Sequence, residues 1–216
     1  MARLRVAVLI SGRGSNLQAL LDACGEGGFP AEIVLVLSNR PDAAGLDRAR
    51  RAGVPTRILD HKVFASREAF DEAMDGLLRT ASADLVCLAG FMRLLTPGFV
   101  QAWQDRLINI HPSLLPSFKG LHTHRQALDA GVTIHGCTVH FVTADLDAGP
   151  ILVQAAVPVH PDDDEDSLAA RVLEAEHRIY PLALRWLGEG RISTENNRVR
   201  VSNGTAAIYP LINPAA

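Results

Sequence analysis

The sequence of 216 residues predicts an α/β fold: a doubly wound, mostly parallel sheet with antiparallel strands in its C-terminal part. Three observations carry that reading. From residue 3 to residue 110, apolar and β-branched runs alternate with stretches of helical spacing, the strand–helix alternation that a parallel sheet requires. A glycine turn, Ser11-Gly12-Arg13-Gly14, joins the first run directly to the first helix. After Ile134 two β-rich runs are separated by a loop with no helix between them, which suits antiparallel pairing.

Residues 3–10 are the first strand, and residues 16–23 place their apolar side chains at helical spacing. Residues 32–38 form the second strand, and the alanine- and arginine-rich stretch 43–52 the next helix. A short third strand over 54–59 and an amphipathic helix over 67–79 follow, then a buried fourth strand over 84–89 and a fifth over 107–110. Residues 134–142 and 151–159 are the antiparallel runs, joined through Asp145-Leu146-Asp147-Ala148-Gly149-Pro150. Residues 165–188 return to helix and end on glycine. Beyond Arg191, Glu195-Asn196-Asn197 and Asn203-Gly204 mark a terminal hairpin and a loose end.

Composition narrows the ligand. At 48% hydrophobic the chain has enough apolar material for one sizeable core. The formal charge is −3 and no Lys/Arg block tracks a nucleic-acid backbone, so a small molecule is expected rather than nucleic acid. Cys24, Cys87 and Cys137 lack CxxC spacing and sit among apolar or small residues, as core thiols do in a reducing compartment such as the cytoplasm. The opening apolar run is too short for a secretory signal or a membrane span.

Residues 109–120 read Asn-Ile-His-Pro-Ser-Leu-Leu-Pro-Ser-Phe-Lys-Gly. Asn109 and His111 are two apart at a strand's C-terminal end, so they project from one face: one donates without titrating, the other moves a proton. Pro112 and Pro116 deny the exit a helix and stiffen it. A catalytic imidazole is tuned by a carboxylate, and Asp147, beside Gly149-Pro150 in a loop able to bend back, is a better candidate than Asp145. His122 and His124 fall on different sides of any helix, and His135 and His140 on opposite faces of a strand, so no metal site is expected.

Ser11-Gly12-Arg13-Gly14-Ser15-Asn16 ends a strand and opens a helix, where free N–H groups receive an anion such as a phosphate. It lacks both the GK[ST] of a nucleotide P-loop and the third glycine of GxGxxG. The same residues also describe a plain tight turn with Ser15 as helix cap. Phe91-Met92-Arg93-Leu94-Leu95 offers an apolar wall with exposed main chain, suited to a flat heteroaromatic ligand or to simple packing under the sheet. Arg67, heading a helix, is either a solvated charge or the partner of a ligand carboxylate.

Taken together, Ser-Gly-Arg-Gly-Ser-Asn, Leu-Ala-Gly-Phe-Met-Arg, Asn-Ile-His-Pro-Ser-Leu-Leu-Pro, Gly-Leu-His-Thr-His and Leu-Asp-Ala-Gly-Pro-Ile resemble the folate-dependent phosphoribosylglycinamide formyltransferases of purine synthesis, from about Val6 to Leu187. The resemblance implies a Rossmann-like formyltransferase domain over residues 1–216, with a phosphate-binding half (1–110), a folate-binding and catalytic half (111–190) and C-terminal strands and tail (191–216). It implies transfer of a formyl group from 10-formyltetrahydrofolate, as co-substrate and without a metal, to the amine of glycinamide ribonucleotide. Asn109, His111 and Asp147 would be catalytic. Gly14, Ser15, Asn16 and Glu176 would hold the acceptor. Arg67, Met92, Arg93, Leu94, Leu95, Asn109, Thr143, Ala144, Asp145, Leu146 and Asp147 would hold the folate. The Asn-His-Asp set is common to formyl transferases of this fold, so a different acceptor, or water, is the alternative that the set alone leaves open. The implied partners are small molecules, not nucleic acid or a membrane, in a cytoplasmic monomer or homodimer.

Overall fold

A computed structural model describes residues 2–205 and 211–214. Its main sheet is built from β1 (Leu4–Ile10), β2 (Ala31–Ser38), β3 (Thr56–Ile58), β4 (Leu85–Leu88), β5 (Leu107–His111), β6 (Ile134–Phe141) and β7 (Ile151–Pro158), in the order β3-β2-β1-β4-β5-β6-β7. The strands from β1 to β5 pair in parallel, and β6 runs antiparallel to both β5 and β7. The expected doubly wound sheet with a C-terminal reversal is therefore present.

Helices α1 (Ser15–Gly25), α2 (Gly45–Arg51), α5 (Thr123–Asp129) and α6 (Glu165–Gly188) cover one face; α3 (Arg67–Thr80) and α4 (Pro97–Ala102) cover the other. Along β1, Val6, Val8 and Ile10 enter the core under α1 and α6, while Ala7 and Leu9 enter the core under α3 and α4. A strand buried on both faces reads as an unbroken apolar run, which is why this one was legible. α6 starts with a reciprocal cap: Asp164 accepts from the Ser167 N–H (2.8 Å) and Ser167 Oγ accepts from the Asp164 N–H (3.0 Å). It then crosses the sheet, where the Tyr180 hydroxyl donates to the Leu88 carbonyl (2.9 Å).

Two short helices have no counterpart in the sequence reading. α4 holds one turn and a half behind a Thr96 cap with Pro97 at its first position, a start signal that Thr-Pro does carry. α5 follows His122, whose φ of 57° supplies the turn that a glycine usually would. The third strand is shorter than expected because only Thr56–Ile58 pairs with β2. β8 (Ile192–Glu195) and β9 (Arg198–Val201) form the terminal hairpin, turning on Asn196 and Asn197 at φ of 50° and 60°. Residues 206–210 and 215–216 of the expected loose end lie outside the described residues. Cys24, Cys87 and Cys137 are free and buried, and burial pushes the Cys24 thiol up to about 11. Among the described residues, no helix is long and apolar enough to cross a membrane.

Candidate active site

β5 brings Asn109 and His111 to the sheet face shared with α3 and α4, and the Leu115-Pro116 bond in the exit is cis. Thr138, opposite His111 on β6, pins that exit: its hydroxyl donates to the Ser113 carbonyl (2.7 Å) and accepts from the Leu115 N–H (3.1 Å). The His111 ring is 5% exposed. Its Nε2 lies 3.0 Å from the Phe118 carbonyl and its Nδ1 3.6 Å from Asp147 Oδ2. Both nitrogens therefore face oxygen atoms.

Asp147 does not reach the site from a strand end. Its loop folds back over the sheet, packed so closely at Gly149 that a Cβ there would overlap the Phe141 carbonyl oxygen. Asp147 itself sits at φ 46°, and its Oδ2 accepts the Gly120 N–H at 2.9 Å, so one carboxylate ties the β6–β7 loop, the β5 exit and His111 together. Asp145 stays exposed, its carbonyl held by the Thr143 hydroxyl at 3.3 Å; Ala144 and Leu146 are also on the surface.

A fourth residue, which the sequence brought up only in setting aside a metal site, completes the group. His140 is directly opposite Asn109 across β5 and β6 and is 2% exposed. Its Nδ1 is 2.9 Å from the Phe141 carbonyl, its Nε2 3.3 Å from Asn109 Nδ2 and 3.9 Å from Asp147 Oδ1. Burial lowers its pKa, so the ring is neutral at pH 7. With Nδ1–H donating to Phe141, Nε2 is the acceptor for the Asn109 amide, whose second N–H is left for a ligand. His135, on the other face of β6, packs edge-on against His124 (5.4 Å between centroids) and Phe118. Burial drives His135 down to about 4, and neither of its nitrogens has a hydrogen-bond partner among the described residues. Among the described residues no group of three or more His, Cys, Asp or Glu is arranged to hold a metal ion.

The glycine turn lies at the head of α1. Gly14, not Ser15, is the N-cap, at φ 71°, and Ser15 is the first helical residue. The turn is clamped by α2: Gly45 N–H donates to the Gly12 carbonyl (3.0 Å), Arg48 Nε to the Arg13 carbonyl (2.9 Å), and a Cβ on Gly14 would stand 2.7 Å from Gly45 Cα. Asn16 Nδ2 donates to Glu176 Oε2 at 2.7 Å, joining α1 to α6. Burial raises Glu176 to about 7, against the lowering effect of the Asn16 bond. Beside the turn, a cleft of about 380 Å³ opens between α1 and α6, lined by Ser15, Gln18, Asp22 and His177 among others. Free helix N–H groups and a turn fixed from behind suit a phosphate, and the Asn16–Glu176 pair beside them offers polar groups to hydroxyls or an amine.

Along the wall, Phe91 is buried, Leu95 half-buried, and Met92 and Leu94 are exposed. The Arg93 guanidinium lies over the Phe70 ring (4.7 Å), its buried Nε without a hydrogen-bond partner among the described residues. Exposed Leu121 and Leu146 add apolar surface from the loops on the Asp147 side. Arg67 is exposed at the head of α3, behind the Ser66 cap, and forms no hydrogen bond or ion pair with the described residues.

Comparison with known proteins gives consistent matches. A family model described as formyl transferase matches residues 4–184. The phosphoribosylglycinamide formyltransferase of Escherichia coli (strain K12) is 50% identical over 194 residues, which cover 90% of this chain and 92% of that protein. The human trifunctional purine biosynthetic protein adenosine-3 is 54% identical over 193 residues; there the chain spans only 19% of the relative's length. The crystal structure of glycinamide ribonucleotide transformylase 1 from Symbiobacterium toebii superposes with a TM-score of 0.90 at 53% identity, covering 92% of this chain and 94% of that one.

Proposed function

The chain belongs to the formyl transferase family, and from that premise we propose that it transfers the formyl group of 10-formyltetrahydrofolate to the amine of glycinamide ribonucleotide, giving formylglycinamide ribonucleotide and tetrahydrofolate in purine synthesis. One observation carries the choice of reaction: Asn109 bonds to His140 at 3.3 Å, His111 faces Asp147 at 3.6 Å, and the two pairs meet where Asp147 Oδ1 lies 3.9 Å from His140 Nε2. The clamped turn ending at Asn16, bonded to Glu176, supports the choice of acceptor.

The residues fit both substrates. Gly14, Ser15 and Asn16 bind the acceptor's phosphate with main-chain N–H groups, and Glu176 meets its ribose or amine end. Met92, Arg93, Leu94 and Leu95 face the pterin with apolar side chains and main-chain groups, Thr143, Ala144, Asp145, Leu146 and Asp147 close over it, and Arg67 meets the benzoylglutamate end. When bound, the folate supplies the formyl carbon on a nitrogen that leaves. As the amine attacks that carbon, negative charge develops on the formyl oxygen, and Asn109 Nδ2–H and the His111 imidazolium donate hydrogen bonds to it. For His111 this means turning a nitrogen from its present acceptor toward the ligand. The new carbon–nitrogen bond forms, the bond to the folate nitrogen breaks, and the amine's proton passes through water to that nitrogen, with Asp147 orienting the His111 ring meanwhile.

The chain is read as one domain, 1–110 carrying the phosphate site and 111–190 most of the catalytic group, with Arg67 and Met92–Leu95 lent to the donor site from the first half. It acts in the cytoplasm on small molecules, as a monomer or homodimer. The test is formyl transfer by the purified protein with glycinamide ribonucleotide and without any acceptor. Formylated product that depends on the acceptor is expected; equal loss of formyl-folate in its absence would identify a hydrolase instead.

A further inference from the structure

β1 and β4 lie side by side where the strand order changes direction, the crevice in which open α/β sheets collect ligands. The chain leaves β1 into the acceptor turn and leaves β4 into the donor wall. Ser11, 4% exposed, stands between the two. Its N–H donates to the Gly90 carbonyl (3.2 Å), its Oγ accepts the Met92 N–H (2.8 Å), and its Oγ–H donates to Asn39 Oδ1 (2.6 Å). Asn39 is itself 2% exposed and held against His61 Nδ1 through its carbonyl (3.0 Å) and its amide (3.3 Å). The hydroxyl is therefore committed as donor and as acceptor, and cannot rotate without losing a bond in a buried place.

The wall needs that anchor. It has no regular secondary structure from Phe91 to Leu95, and the side chains of Met92 and Leu94 are exposed and give it little support. At its far end the Thr96 N–H donates to Asp71 Oδ2 (2.7 Å), and midway Arg93 rests on Phe70; both of those holds belong to α3. Of these three holds, Ser11 alone reaches from the acceptor side. Transfer requires the amine within about 3–3.5 Å of the formyl carbon, so two loops gripping different substrates must keep a fixed spacing.

We infer that Ser11 is a positioning residue: its hydroxyl keeps the main chain of the donor wall in register with the acceptor turn, so that filling either site favours filling the other. This rests on the formyl-transfer reading. The wall, without regular secondary structure, is what the first ligand restricts, and the Ser11 bond carries that restriction between the two sites, so the second ligand meets a prepared site. Linkage makes the effect reciprocal, the same factor in both directions.

The test pairs glycinamide ribonucleotide with tetrahydrofolate, which cannot react, and measures by calorimetry the affinity of each alone and with the other saturating. In the parent each ligand should tighten the other by about fivefold or more. Ser11→Ala keeps the N–H bond to Gly90 but loses the hydroxyl: its coupling should fall toward one and its kcat should drop, with the affinity for glycinamide ribonucleotide alone near the parental value and a melt that is lowered but still cooperative. Ser11→Thr should restore coupling. If Ser11→Ala does not fold, Ser11→Cys, which keeps the packing but accepts poorly, is read in its place. Parental coupling in the variant, or no coupling in the parent, would overturn the role of Ser11, as would a variant that loses both single-ligand affinities alike. A parent that binds neither ligand would instead overturn the proposed function.

Discussion

Asn109 and His140 face each other as a directly opposed pair across β5 and β6, the amide nitrogen 3.3 Å from an imidazole nitrogen that burial keeps neutral. The imidazole thus decides which way the amide points, without touching the position where charge develops. His140→Ala should leave the amide unaligned at a cost of about 1–2 kcal/mol, or roughly tenfold in kcat. The folate KM should move less than kcat. His140→Gln, whose carbonyl can accept from Asn109, should recover part of the rate. Steady-state kinetics of the three proteins check this, and full activity in His140→Ala would remove the imidazole from any orienting role.

Asn109→Ala, His111→Ala and Asp147→Ala should each fold and each lose on the order of a hundredfold or more in kcat, the usual effect of removing a donor from developing negative charge. Because the three act as a unit, the double variant Asn109→Ala/His111→Ala should lose less than the product of the two single losses. Near-normal turnover by His111→Ala would contradict the assignment of roles.

Stability should carry two opposed acid responses. His135, held down to about 4, takes up its proton only after the unfolded chain has, so stability is lost as pH falls from 6.5 to 4; His124 beside it is lowered in the same sense. Glu176, raised to about 7, keeps its proton longer than the unfolded chain does, so its contribution is present below 4.5 and is lost as pH rises through 7. Glu176→Gln should therefore steepen the loss between pH 7 and pH 5, and His135→Phe should flatten it. Urea denaturation midpoints at the two pH values decide the matter, and slopes unchanged from the parent would contradict both shifts.

Gly14→Ala meets two obstacles, a φ of 71° and a Cβ position 2.7 Å from Gly45 Cα. Gly28 has φ 83° with nothing within 4 Å of its Cβ position, so Gly28→Ala isolates the first. Gly28→Ala should cost about 1 kcal/mol, and Gly14→Ala visibly more, with a raised KM for the acceptor because the turn must shift off α2. Equal costs in denaturation would mean that the close approach to Gly45 has no energetic weight.

Most of the architecture was legible because both faces of β1, β2 and β4 are buried, which turns each strand into an apolar run, and because α3 and α6 carry long amphipathic patterns. α4 and α5 escaped because six or seven residues are too few to establish a helical period, and they lack the run of alanine and arginine that marked α2, which is equally short. At the site, Asn109 and His111 could be paired by spacing alone, and Asp147 by the turn chemistry around it. His140 could not, since its partnership depends on a register between strands 31 residues apart, and no local pattern encodes register. Of the two readings of the glycine turn, the plain one made Ser15 the cap because serine usually is one; Gly14 takes that position, with a positive φ directly before the helix.

The bond from Asn16 to Glu176 joins residues 160 apart in the chain. Contacts of that span close late, since the loop entropy of bringing the two segments together must be met before the contact stabilises anything. Recovery of affinity for the acceptor during refolding is then a clock for the docking of α6 on α1. Helical circular dichroism, dominated by local structure, should return ahead of it, and the interval between the two signals would time the last long-range closure of the fold.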